Sequence, residues 1–145
     1  MRRPYTKSGR LADVLALIQV LALDEDTHRS ASGVDKEMQA QPGSSDSWIG
    51  VAKEHPEFFR IRTEGEYILS LVSRHVLPKN EKGIREMPSG LVQSLLEVAI
   101  DLHDRQVAAA ERWKSWIPLA GALIAALIGS ATTLFTLWLN GWCKP

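Results

Sequence analysis

The chain has 145 residues, 17 Lys or Arg balanced by 17 Asp or Glu, and one cysteine, Cys143. That length holds one small domain and little more. Zero formal charge excludes the broad basic excess of a general polyanion binder, and a single cysteine excludes an intrachain disulfide.

Residues 1–9 are basic and lack an apolar pattern, so they are expected to form a flexible N-terminus. The run RLADVLALIQVLAL follows, with Leu11, Val14, Leu15, Ile18, Leu21 and Ala22 at helical spacing. Asp24, Glu25 and Asp26 should stop this helix, because anions oppose the dipole at a helix C-terminus. Basic residues ahead of Leu11–Leu23 also give the outline of a signal sequence, but Asp13 and Gln19 interrupt it and no small-residue cleavage pattern follows. Ser30 or Ser32 offers an N-cap for a short second helix at about Gly33–Gln41, which Pro42 and Gly43 break. SDSWIGVAKEH predicts a third helix with Trp48, Val51 and Ala52 on one face, ending before Pro56.

The period then changes. FFRIR alternates Phe59 and Ile61 with Arg60 and Arg62; Thr63, Glu64 and Gly65 supply a turn. YILSLVSRHVL predicts a second strand with Ile68 or Leu69, Leu71 and Val72 toward the core, completing an antiparallel hairpin. Residues 78–90 read as a linker. A juxtamembrane helix at 91–116 places Val92, Leu95, Ala99, Leu102, Gln106 and Ala109 along a seam with 3–4 spacing. Such a seam serves either a second copy of the chain or the chain's own domain. Pro118 should kink the passage onward or mark a new helix.

Residues 117–139, IPLAGALIAALIGSATTLFTLWL, lie inside a stretch without a charged residue. A helix of that length covers about 34 Å, and its Leu, Ile and Phe residues favour insertion by about 3–6 kcal/mol, which predicts a transmembrane helix rather than a buried core helix. Trp113 and Trp116 flank one end and Trp138 and Trp142 the other, as interface anchors. Arg105, Arg112 and Lys114 precede the span and Lys144 follows it, which places the N-terminal domain in the cytoplasm of an inner-membrane, single-pass, tail-anchored protein with a short tail at 140–145. Gly121, Ala125, Gly129 and Thr133 form a small-residue ridge suited to self-association, and Thr132, Thr133 and Thr136 offer hydroxyls between helices. Cys143 could take a lipid or an interchain disulfide, though an incidental cysteine is the simpler reading.

Three short helices followed by a hairpin across residues 10–77 resemble a winged helix-turn-helix domain. WIGVAKEHPEFFRI, a turn and YILSLVSRHV are similar to the small winged-helix modules related to LOTUS domains, and the HPEFFR segment resembles bacterial membrane-anchored proteins that share it. The resemblance implies an α+β fold, with a small winged-helix domain of three helices plus a β-hairpin, then a long helix and one C-terminal transmembrane helix. Winged helices serve DNA, RNA and protein partners alike.

No motif carries catalysis. His28, His55, His75 and His103 lack metal-ligand spacing, and Asp101, His103 and Asp104 do not share one helix face; Asp101 and Arg105 read as an i,i+4 ion pair. There is no phosphate-cradling glycine loop and no nucleophile elbow. The expectation is a non-enzyme without cofactor or metal. The third helix offers Lys53 against Asp46 and Glu54, a poor DNA-reading surface. The hairpin is better supplied, so Arg60, Arg62, Arg74 and His75 are the candidate contacts to a polyanion or a protein partner. The function expected is a domain that binds a partner or ligand and couples it to homo-oligomerisation in the lipid bilayer. A membrane-tethered nucleic-acid regulator and a pore-forming effector are the alternatives.

Overall fold

A computed structural model describes residues 4–81, 83–112 and 116–142, with no side-chain description at 137 and 139–142. The chain divides into two units, Met1–Val107 and Ala108–Pro145. The first is α+β. After a 3-10 turn at Pro4–Thr6 come helices α1 (Arg10–Leu23), α2 (Ala31–Met38) and α3 (Trp48–Glu54), then strands β1 (Phe59–Ile61) and β2 (Leu69–Leu71). A 3-10 turn at Ser73–Val76 leads toward α4 (Ser89–Glu111), and α5 spans Trp116–Trp142.

The apolar stripe of α1 forms the centre of the core: Val14, Leu17 and Ile18 are fully buried. Each such side chain contributes about 1.5–3 kcal/mol of transfer free energy. At the N-terminal end of this buried side, α1 holds the loop between α2 and α3. Asp13 accepts from the backbone N–H groups of Gly43 (3.1 Å) and Ser44 (2.8 Å) and from the Ser44 hydroxyl. Arg10 donates to the Ser44 carbonyl at 2.8 Å and pairs with Glu54 at 3.2 Å. The residue that breaks the signal-like run, Asp13, is thus a buried anchor of the first unit.

Capping sets the next two helices. Ser30 Oγ accepts from Gly33 N–H at 3.0 Å and starts α2 two residues earlier than periodicity predicts. Gln39 in the left-handed region ends it, ahead of Pro42. Ser47 Oγ caps α3 by accepting from Gly50 N–H at 3.1 Å. Trp48, Val51 and Ala52 face the core as their spacing predicts, and the Trp48 indole N–H reaches the Ala40 carbonyl at 2.9 Å.

The hairpin pairs Phe59 with Leu71, Arg60 with Ser70 and Ile61 with Leu69, antiparallel. Arg29, between α1 and α2, bridges Leu69 through two backbone hydrogen bonds of 2.8 and 3.0 Å. This added extended residue blunts one edge of the sheet. The second strand is shorter than predicted. It stops at Leu71, Val72 is exposed, and Ser73–Val76 turns instead of extending. The cause is Arg74, only 2 % exposed, whose guanidinium donates to the carbonyls of Asp24 and Asp26 beyond the end of α1. A strand through residue 77 would carry that guanidinium away from those carbonyls.

The N-terminal segment is also used. Tyr5 is 1 % exposed, and Lys7 pairs with Glu54 at 2.7 Å, so the flexibility expected of residues 1–9 does not describe Tyr5.

In the second unit, α5 contains no charged residue, and every position from 116 to 136 is exposed. It is long and apolar enough to cross a membrane: its 27 residues extend about 40 Å, and an 18-residue window reaches a mean hydropathy of 1.8. Pro118 lies in its first turn, where the missing N–H has no intrahelical acceptor to lose. Trp113 and Cys143 lie outside the described residues, as does the Trp142 side chain; Trp116 and Trp138 are exposed.

Candidate functional site: a docked seam and a basic hairpin face

Two features of the first unit stand out chemically. The first is the seam of α4. Ala99 is fully buried, and Val92, Leu95 and Leu102 pack on the same core as α1 and the hairpin. Gln106 Oε1 accepts from the backbone N–H of Tyr5 at 3.4 Å. The side chains whose spacing fits a coiled coil are therefore engaged within the chain, as far as Gln106. Ala109 belongs to the second unit.

A polar cluster borders this seam. Tyr5 OH donates to Glu57 Oε1 at 3.1 Å, and His55 Nδ1 lies 3.0 Å from the same oxygen. The Tyr5 ring meets His55 at 4.4 Å and His103 of α4 at 6.2 Å, both edge to face. Burial, reinforced by the Glu57 charge and hydrogen bond, pushes the Tyr5 phenol far above its ordinary range. Burial raises the Glu57 carboxyl, but the His55 hydrogen bond and the other donors outweigh it and hold the group below its usual value. Tyrosine, histidine and carboxylate converge here on each other. His55 is fully buried, so the cluster ties the N-terminal turn, the end of α3 and α4 together and offers no approach to a substrate through that ring.

The second feature is the hairpin face. Arg60 and Arg62 are exposed on it, as their alternation with Phe59 and Ile61 predicts. His75 lies beside it with Nε2 3.0 Å from Ser70 Oγ. Arg74 is not on this face: it is buried and caps the α1 loop, and burial pushes its pKa down. Two residues that the sequence did not assign to this face take its place. His28, from the loop after α1, meets His75 ring to ring at 5.3 Å. Arg85 arrives from the segment between the hairpin and α4. There Asn80 Oδ1 accepts from Ile84 N–H at 2.9 Å, and Gly83 takes the positive φ of 77° that the turn needs. Burial and the charges of Arg62, Arg85 and Arg60, together with His75, hold the His28 imidazole below its ordinary value. Burial and the same three guanidinium groups do so for His75. A groove of about 470 Å³ opens here, lined by Asp26, Thr27, His28, Arg62 and Tyr67.

In α5, Gly121, Ala125, Gly129 and Thr133 are exposed, and among the described residues nothing lies within 4 Å of a Cβ added at either glycine. The hydroxyls of Thr132 and Thr133 donate to the Gly129 carbonyl, and that of Thr136 donates to Thr133. They are thereby satisfied inside the helix. Among the described residues no group of three His, Cys, Asp or Glu side chains is placed to hold a metal ion. Asp101 and Arg105 form their i,i+4 pair at 2.8 Å.

Comparison with protein-family models, with curated proteins and with solved structures gives no match for this chain.

Proposed function

We propose that the chain is a non-enzymatic, single-span membrane protein in which a cytoplasmic, winged-helix-like head binds a partner or ligand and thereby controls self-association. The observation that carries this reading is the docking of α4. Ala99 is fully buried against the head and Val92, Leu95 and Leu102 pack beside it. These are the residues a coiled-coil seam would use with a second copy.

One face cannot serve both. With α4 docked, the seam is occupied within the chain and the copies stay apart. When a partner favours the undocked head, the seam is freed, and it leads in sequence toward a helix with a small-residue ridge at Gly121, Ala125, Gly129 and Thr133. A ligand shifts this balance only by its difference in affinity for the two states. The basic residues ahead of α5 support this orientation, and the length and lack of charge of that helix support membrane residence.

Two measurements test this. The intact chain should stay with membranes through alkaline carbonate washing. Amine crosslinking in those membranes should give mostly monomer for wild type and a dimer or higher species for Ala99→Glu, which places a carboxylate in the docked face. Gln106→Ala, which removes one hydrogen bond, should do so more weakly. A crosslinked fraction identical in all three chains contradicts the coupling.

A further inference from the structure

We propose that the groove between the hairpin and the loop after α1 binds a phosphate-bearing ligand, with Arg60, Arg62 and Arg85 supplying charge and the rings of His28 and His75 supplying N–H donors. This deepens the reading of the head as a binding module and rests on it.

Several independent observations converge on the groove. Three guanidinium groups from two separate segments bear on the same two imidazoles, although residues 1–112 hold 15 basic against 17 acidic residues. Concentrating cations in a chain without a basic excess costs repulsion, which an anion relieves. His28 Nε2 and Arg85 Nε are shielded from solvent and have no hydrogen-bond partner among the described residues. Buried donors left unpaired are uncommon, and a ligand is one way to satisfy them. Guanidinium groups match phosphate oxygens in a planar fork. Tyr67, 57 % exposed at the groove rim, offers a flat face to whatever carries the phosphate.

The footprint favours a small ligand over a nucleic acid. His28 and Arg62 line a single groove of about 470 Å³, and His75 adjoins it through its ring contact with His28. Arg74, which would have lengthened the stripe, is buried, and α3 carries Lys53 against Glu54. A long polyanion needs a track of cations, because its affinity comes from releasing many counterions.

Proton linkage follows from the groups facing the rings. Burial first, then Arg60 and Arg62 from the hairpin and Arg85 from the following turn, disfavour the charged form of both rings; His75 adds to this for His28, and Ser70 is bonded to His75. Asp26 on the loop wall is the one acid among the groove-lining residues. A bound dianion reverses the balance, so the rings take up protons and affinity rises as pH falls. Phosphate esters lose their second charge near pH 6, which blurs this effect, whereas sulfate stays a dianion. Sulfate is therefore the probe for linkage, and inorganic phosphate the probe for the ligand class.

The test uses the full chain in phosphatidylcholine nanodiscs, with calorimetric titration of both anions and ring NMR of labelled histidine. Sulfate should bind at least about tenfold more tightly at pH 5.5 than at pH 7.5, and saturating sulfate should raise the titration midpoints of His28 and His75. Arg60→Ala with Arg62→Ala, both at exposed positions that leave the core untouched, should weaken both anions at least about tenfold. Nanodiscs containing phosphatidic acid separate two sources of the same group. Competition with soluble phosphate identifies a lipid headgroup, and its absence identifies a soluble ligand; either supports the site. Sulfate affinity independent of pH, affinity unchanged in the double variant, or binding of duplex DNA or single-stranded RNA in preference to phosphate would overturn it. Phosphate binding with a crosslinked fraction that never changes would leave this site standing and remove the coupling instead.

Discussion

Tyr5 and His55 meet with ring centroids 4.4 Å apart and share one carboxylate oxygen of Glu57. That shared oxygen makes the N-terminal turn part of the head. Because the backbone N–H of Tyr5 also donates to Gln106, the turn reaches α4 as well. Tyr5 therefore joins the N-terminal turn to the seam helix.

Tyr5→Phe should lower the stability of the intact chain by about 1.5–3 kcal/mol at pH 7, the usual contribution of a hydrogen bond to an ionised acceptor. The variant should also lose part of the alkaline instability. Tyr5 is held protonated in the folded state above its ordinary value of 10.0. Its contribution is present below that value and declines as pH rises beyond it, because the unfolded chain releases the proton first. Denaturant unfolding in detergent between pH 8 and 11 should give a shallower decline for Tyr5→Phe than for wild type.

Arg74→Met should be far more damaging than Arg60→Ala or Arg62→Ala. It keeps bulk but leaves the Asp24 and Asp26 carbonyls without their guanidinium donor. The expected loss is about 2–4 kcal/mol, against less than about 0.5 for either exposed arginine. Limited proteolysis in the loop at residues 24–30 should accelerate for Arg74→Met alone.

Arg74 also marks the boundary of what the sequence makes legible. The core of α1, the burial of Trp48, Val51 and Ala52, and the alternation along Phe59–Ile61 follow from local periodicity, and periodicity is a property of adjacent residues. The role of Arg74 depends on two carbonyls about fifty residues away, which no local pattern encodes. A cation beside a strand reads as solvent-facing by default. In the sequence His28 is weighed only as a metal ligand and Arg85 not at all, for the same reason: each is a lone residue in a loop, and only the fold brings them to the hairpin. Tyr5 was hidden by its basic neighbours. The seam of α4 was legible as a seam, while its use by the chain's own core was one of two open readings.

Gly121→Leu and Gly129→Leu should leave the monomer unchanged, since no described residue lies within 4 Å of a Cβ added at either position. In an Ala99→Glu background they should reduce the crosslinked fraction several-fold, because a bulky residue keeps two helix backbones from close approach. Crosslinking that persists at the Ala99→Glu level would place the contact between copies away from this ridge.

Ala99→Leu should destabilise the docked state by about 1–3 kcal/mol through overpacking, without introducing charge. Its effect on self-association should have the same direction as Ala99→Glu and be smaller. Amide exchange across residues 92–106 should quicken in step with the oligomeric fraction.

The account stands most directly on where the α4 seam lies in an intact membrane. A single spin label at Ser94, placed by Ser94→Cys with Cys143→Ser, reports pairing of α4 helices by pulsed dipolar spectroscopy in lipid bilayers. The docked wild type should show no intermolecular distance at dilute protein, and the Ala99→Glu chain should show a defined one. A defined intermolecular distance already present in wild type, unchanged by Ala99→Glu, would mean that α4 pairs with its copy from the start and that the head does not hold it.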